Sequence, residues 1–521
     1  MVRTTRSTAR RSRPLVQVQK PNGSVAARVQ RVGPAHFGIL SIDVAKARFK
    51  MMLADFYGKL LFDAVEVELT RGGLQAAVDR VRQAQADFHL HDLLVAIERT
   101  GEYHRPIQRA FREAGFEVRL VHPLASKQFR QAADPGNKTD ETDLAGIHRA
   151  AVNGFGLIEP TLPSEAQQLQ LLVRHRRDLV QKMSAVCCQL REHLHAAMPG
   201  YAACFEDLWA SQVALLIARA TGSAAAVKDA GLPGLLHLLQ AAGRRSQLTT
   251  LHKVLAWTDT APPAHPHPAS LLPILHNLDD DRLEKIKQIR ALERSSAAFL
   301  TRTPYVLLLA SPGINVVSAA ELAGEMGPIA HYANANAITG RAGLVPARYQ
   351  SDLVDRPHGS LIRCANRKLR TALLQIADNL VACNHHCRAK AALWKHAGKN
   401  ARWIRVKIAK SFSRIAYGIV AGRRLAPHPC LQHRHYILDK LNAFHGQHET
   451  PMAAVLDDLK AAVDQLPQAE QAPEAKPLQE ELDRINAGRR RGPQPLRDII
   501  PIVLARLGMI PLQSTPGQDL S

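Results

Sequence analysis

The order of apolar runs between residues 37 and 121 constrains this chain more than any other feature. "HFGILSIDVAKARFKMMLAD" reads as a buried strand, a turn and a second strand, and "LFDAVEVELT" continues as a third. "RGGLQAAVDRVRQAQAD" then takes helical spacing. "DLLVAIERTG" is an apolar strand, "HRPIQRAFREAGF" a helix and "EVRLVHP" another strand. Three strands followed by alternating helices and strands predict an α/β domain built on a mixed sheet.

Acids stand at the ends of two of these strands. Asp43 closes the first in "SIDVAK", and Glu98 closes a later one in "AIERTGEYH". "GNKTDETDLAGI" then opens a helix with Asp140 and Asp143 three positions apart. An acid at the end of a buried strand is costly unless it is paired or binds a metal. Each acid has an ordinary reading by itself: a strand-end Asp caps a turn, and acids favour the first turn of a helix. Taken together, four carboxylates that one fold can gather suit a hard cation such as Mg²⁺ or Mn²⁺. Two such ions clamp the attacking and leaving oxygens of a phosphodiester.

Charge points the same way. Lys and Arg number 68 against 46 acidic residues in 521, a net of +22, which predicts a polyanionic partner without telling DNA from RNA. A hydrophobic share of 46% supplies real cores and excludes a disordered chain. Seven cysteines suggest no disulfide framework. The absence of a long apolar run predicts no membrane partner and, with no signal-peptide core, a cytoplasmic, nucleoid-associated protein.

The remaining organisation follows from composition and periodicity. Residues 1–35 are basic with no acid, and read as an arm without a fold or as the product of a start codon upstream of the real domain. Residues 36–160 form the α/β domain. Residues 161–300 form a helical arm: Leu169, Val173, Arg176, Val180, Met183, Cys187, Leu190 and Leu194 make a heptad seam with one basic misfit. A second helix with Leu283, Ile286, Ile289 and Leu292 could pair with it antiparallel, closing the arm around an insert that ends in "TAPPAHPHPAS". Residues 301–425 read as a compact, mainly α, basic domain. In it Pro312-Gly313 suggests a helix-hairpin-helix turn whose backbone N–H groups face phosphate. "CNHHC" (Cys383 to Cys387) lacks the second Cys/His pair that a zinc finger needs. Residues 426–521 carry a helical stretch, "MAAVLDDLKAAVDQL", and no assignable role.

The set "SIDVAK", "IERTGEYH", "HPLASKQFR" and "GNKTDETDLAGI" closely resembles the first domain of the insertion sequence 110 family of transposases, also called DEDD or Piv-like. The resemblance covers roughly residues 37–425. It implies an RNase H-like, RuvC-like domain whose Mg²⁺-binding tetrad is Asp43, Glu98, Asp140 and Asp143. Lys138 and Tyr103 match neighbouring motif positions; Lys138 is expected to face nucleic acid, and Tyr103 to be structural or to face DNA. "AGLVPARYQSD" is similar to the family's second domain, where a serine forms a covalent link to DNA; by position this is Ser351, with Ser360 as the fallback. Arg341, Arg348, Arg363, Lys407, Lys410 and Gly313 are the further expected nucleic-acid contacts.

Two departures stand out. Asp352 follows Ser351 where the family usually has glycine, and the family's later Lys-x-Gly-Asn motif is Arg363-Cys364-Ala365-Asn366 here. The resemblance implies a recombinase that excises and reinserts a mobile element, with donor and target DNA paired to a structured bridge RNA. It also implies a dimeric or tetrameric working form. The alternatives are a RuvC-like structure-selective endonuclease without serine chemistry and a nucleic-acid-binding protein with a decayed site.

Overall fold

The computed structural model describes residues 23–466, apart from Asp134, Thr161, Arg348, Asp352, Leu353, Pro357, His358, Cys364 and residues 426–434. Two compact units divide the chain at Thr161 and Leu162.

The first unit begins with a helix, α1 (Gly23–Val32), inside the segment expected to have no fold. Val25 and Val29, four apart on one face, are buried beside Phe37 and Ile39, and Arg28 pairs with Asp92 at 2.6 Å. The arm expectation counted charges and missed this apolar stripe. The strands follow as read: β1 (Phe37–Val44), β2 (Arg48–Asp55) and β3 (Leu60–Glu68). Then come α2 (Arg71–Asp87), β4 (Asp92–Glu98), α3 (His104–Glu113), β5 (Glu117–Val121), α4 (Pro123–Ala133) and α5 (Asp140–Val152).

The sheet order is β3-β2-β1-β4-β5. β1 pairs antiparallel with β2 and parallel with β4, so the sheet is mixed. β1 and β4 are almost wholly buried, as strands covered on both faces should be. One face packs on Val78, Val81, Ile107 and Phe111 of α2 and α3. The other packs on Ile147, Ala150 and Ala151 of α5.

The second unit is almost entirely helical. α6 (Ser164–Ala197) is the long helix expected, and α7 (Ala214–Thr221), α8 (Ala224–Ala241) and α9 (Leu248–Thr260) form the insert. α10 (Pro268–Thr301) returns along α6. The seam is broader than a strict heptad: Leu179 and Val186 are buried, while Val180, Met183 and Cys187 are only half-buried and Leu283 is exposed. The cause is that α6 packs on more than α10. Its first half meets α11 (Val316–Met326), and its last turns join a separate core with Tyr201, Val227, Val254 and Trp257 of the insert. The basic misfit is resolved by charge, since Arg176 lies 2.6 Å from Glu293 and 2.9 Å from Glu321.

Beyond the arm, Pro304–Ala310 is a 3-10 segment, so the arm before the Pro312-Gly313 turn is not an α-helix. α12 (Ala335–Arg341), the hairpin β6 (Tyr349–Ser351) and β7 (Val354–Arg356), α13 (Arg367–Cys383), α14 (His385–His396) and α15 (Ala401–Gly422) follow. Two more helices, α16 (His435–Gln447) and α17 (Met452–Gln465), lie beyond residue 425. Ile437, Leu441, Val455 and Leu459 belong to the same core as Leu308, Leu322 and Ile408, so core residues stand on both sides of that boundary. Lys440 of α16 donates to the carbonyls of Leu309, Ser311 and Ile314 at 2.7–2.8 Å, tying this segment to the Pro-Gly turn.

Candidate active site

The carboxylates converge because of strand register. In the parallel β1–β4 pair Ile42 stands opposite Ile97, so Asp43 and Glu98 sit side by side, one step further along at the carboxyl ends of adjacent strands. That end of a parallel sheet is where ligands bind in open α/β folds. α5 brings the other two acids. Thr139 caps it by accepting from the Thr142 N–H at 3.2 Å, and the Thr142 hydroxyl accepts from the Thr139 N–H at 2.9 Å. This capping box starts the helix at Asp140. Ile147 and Ala150 then anchor it on the sheet, holding its first turn over the strand ends.

The electrostatics show neighbouring acids acting on the two strand-end carboxyls. Burial raises the Asp43 carboxyl above its ordinary value, and Asp143 and Asp140 raise it further; the Val44 N–H and Lys138 oppose them. Burial likewise raises Glu98, with Asp43 and Asp143 adding to it, against a hydrogen bond from Ser126 and the charge of Lys138. Crowded carboxylates held above their ordinary range are a common mark of a functional site and favour a bound cation.

Three partners were not legible as site residues. The Ser126 hydroxyl donates to Glu98 Oε2. Arg130 Nε lies 2.8 Å from Asp143 Oδ1, without its N–H aligned on that contact. Lys50 Nζ donates to Asp140 Oδ2 at 2.6 Å. Lys50 is the antiparallel register partner of Asp43, a relation that only strand pairing creates. Ser126 and Arg130 arrive on α4, which crosses α5 closely at Gly146. A Cβ at Gly146 would stand 2.8 Å from the Ser126 carbonyl oxygen and 3.1 Å from Arg130 Cβ. The "LASKQFR" motif and the glycine in "DLAGI" were the available signals. With these partners engaged, no three of the Asp, Glu, His and Cys side chains among the described residues are drawn together closely enough to hold an ion as they stand.

The other expected contacts are placed as follows. Lys138 is exposed in the loop before α5, and Tyr103 is exposed just before α3. Gly313 has φ +89°, and a Cβ there would meet the Asn379 carbonyl oxygen at 2.9 Å, so the turn requires glycine. Arg341 donates to the Met326 carbonyl at 3.1 Å and lies over the Tyr332 ring, which gives it a structural task. Arg363 and Lys407 are exposed and Lys410 is half-buried. The Ser351 backbone ends β6 and pairs with Val354. Ser360 is exposed, its carbonyl accepting from the Ala347 N–H at 2.8 Å. Arg348 and Asp352 lie outside the described residues. No described helix is long and apolar enough to cross a membrane.

Comparison with known proteins agrees with these features. Residues 40–199 match a DEDD-type family profile described as "Transposase". Residues 305–392 match one described as "Transposase IS116/IS110/IS902 family". The chain is 27% identical over 309 residues to a "Probable family 20 transposase" of Pseudomonas aeruginosa, covering 58% of this chain and 77% of the relative. The insert carried by α7, α8 and α9 falls between the two matched stretches.

Proposed function

The chain belongs to the insertion sequence 110 family of transposases, DNA-cleaving and rejoining enzymes, and from that premise we propose that Asp43, Glu98, Asp140 and Asp143 are its catalytic tetrad. The observation that carries this reading is the meeting of two half-buried strand-end acids, Asp43 and Glu98, with the first turn of α5, whose Asp143 adds to the rise of both carboxyls. The sheet order and the site at its carboxyl end support an RNase H-like domain of the RuvC kind.

The four carboxylates are oxygen donors of the type Mg²⁺ or Mn²⁺ takes. Bound there, the metal would supply charge neutralisation at a scissile phosphate and activation of the attacking oxygen. Ser126 orients Glu98, and Lys50 and Arg130 hold the α5 acids in place. Lys138, exposed beside the acids, is set to meet the phosphate backbone.

Ser351 is the proposed nucleophile. Its hydroxyl oxygen attacks a backbone phosphorus, one P–O bond to the sugar breaks, and the serine proton ends on the departing sugar oxygen. The bond energy is kept in the phosphoserine link, so rejoining needs no further cofactor. In this reading a bridge RNA pairs with donor and target DNA, and base pairing rather than protein side chains chooses the sequence. Dimers or tetramers are the working form, with the α6–α10 arm as a natural subunit contact.

The test is circle-junction PCR in cells carrying the native locus. Wild type is expected to give excised circles, and Asp43→Ala and Ser351→Ala none. On denaturing gels protein-linked DNA should vanish with Ser351→Ala. Circles from that variant would remove the serine from the reaction and leave the carboxylates cutting alone.

A further inference from the structure

From Asn379 to Leu438 the chain contains no Asp or Glu, while Lys and Arg recur throughout. Much of the net +22 is therefore concentrated in α14, α15 and their flanks. On α15 the basic residues are ordered. Trp403, Lys407, Lys410 and Arg414 are spaced four, three and four apart, which places them on one face of the helix. Ile404, Ile408, Phe412, Ala416 and Ile419 occupy the opposite face and are buried. The stripe continues to Gly418, where a Cβ would meet nothing within 4 Å, so the face stays open beyond Arg414.

The base of the stripe is built. Lys407 Nζ stands 4.9 Å and Lys399 Nζ 5.7 Å from the Trp403 ring centroid. The Trp394 ring meets Trp403 edge-on at 5.5 Å and fixes its plane. Two ammonium groups gathered on one indole repel each other, and the ring's negative face offsets this only in part. An anion shared by both converts the repulsion into attraction. Among the described residues no acidic side chain pairs with Lys399, Lys407, Lys410 or Arg414. Arg405, which does have an acidic partner in Asp378, lies off the stripe.

We infer that this face of α15 is a binding surface for the phosphodiester backbone of duplex DNA, gripped without reading sequence. Trp403 is occupied by two lysines and the edge-on Trp394 ring, and the stripe holds no Asn or Gln to read base edges. From Trp403 to Arg414 the helix runs about 16 Å at about 1.5 Å per residue. One DNA strand presents a phosphate about every 3.4 Å of axis, so several phosphates face that length. The surface lies outside both matched family stretches and acts independently of the carboxylates and of Ser351.

The test is the salt dependence of binding by the full chain to a short DNA duplex lacking element sequence, in the presence of a metal chelator. Each of Lys407→Gln, Lys410→Gln and Arg414→Gln should reduce the steepness of log K against log salt by about 0.9, and the triple variant by about 2.7. Trp403→Leu, which frees the two lysines, should weaken binding, and Trp403→Phe should largely retain it. Thermal melts of the charge variants should stay close to wild type, because Lys407 and Arg414 are exposed and the half-buried Lys410 has no acidic partner among the described residues. A control triple variant on the arm, Lys182→Gln, Lys253→Gln and Lys287→Gln, should keep the wild-type slope. The inference is overturned if the α15 triple variant keeps that slope, if the control loses as much, or if only binding to an RNA of equal length is impaired. Because no strand is cut in this assay, an error in the tetrad or the serine leaves its outcome unchanged.

Discussion

Ser126 offers the sharpest test of the proposed metal site. Its hydroxyl donates to Glu98 Oε2, with the Pro123 carbonyl at 3.1 Å as the alternative acceptor, and the residue is buried on α4. Glu98 is already raised by burial and by Asp43 and Asp143, and the Ser126 bond is the largest influence pulling it back toward the charged form. Ser126→Ala removes that bond while leaving all four carboxylates. A hydrogen bond to a charged group contributes about 1.5–3 kcal/mol, and about 1.4 kcal/mol is tenfold in an equilibrium constant. The variant should therefore need about 10- to 150-fold more Mg²⁺. Losses of metal affinity about 10–100-fold are usual when an outer partner of a ligand is removed. The assay is twofold: the Mg²⁺ concentration for half-maximal thermal stabilisation, and the same midpoint for DNA strand cleavage. Both should shift right together, with cleavage recovering at high Mg²⁺, whereas Glu98→Ala should not recover. An unchanged midpoint in Ser126→Ala would refute the reasoning, because Glu98 would then bind no metal or would not depend on Ser126 for its posture.

Two further outcomes follow from the packing. Arg176→Met should destabilise the second unit by about 3 kcal/mol in urea unfolding, since it breaks a largely buried charge pair and leaves Glu321 to Arg177 alone and Glu293 to His448; a loss under about 1 kcal/mol would show the network to be dispensable. The first unit should lose stability as pH falls below about 6.5, because burial lowers the affinity of His104 and His148 for a proton. The unfolded chain then binds protons that the folded one refuses, so their contribution is complete above the ordinary histidine value and is lost as pH falls toward the folded one. Asp43 and Glu98, raised in the fold, act in the opposite sense. Unfolding midpoints of wild type and a His104→Asn, His148→Asn double variant, compared between neutral and mildly acidic pH, isolate the histidines; a constant difference would exclude them.

Much of the α/β domain was legible because its signals are local. Apolar runs bounded by turns give strands, and an acid placed just after such a run marks a strand end whatever the rest of the chain does. Thr139, Asp140, Thr142 and Asp143 announce a helix start in four residues. The long helices α6 and α10 were legible for the same reason, through apolar spacing. The arm at residues 23–32 was misread because net charge masked two valines four apart, and Leu283 because a heptad count cannot tell which neighbours a helix has.

The side chains that serve the carboxylates are set by packing between distant segments. Lys50 reaches Asp140 because β2 runs antiparallel beside β1, and Ser126 and Arg130 reach Glu98 and Asp143 because α4 and α5 close together over Gly146. Arg176, a flaw in the seam when read along the chain, becomes a cross-link between helices once Glu293 and Glu321 are brought to it from more than a hundred residues away. The helices beyond residue 425, without a role in sequence, complete a core whose other half is α11, α13 and α15. Most of the strands and long helices, and the position of each acid on its element, were legible along the chain, because strand and helix patterns and strand-end charges are written in neighbouring residues. Their partners were decided by register and close approach, which exist only between segments far apart in the chain.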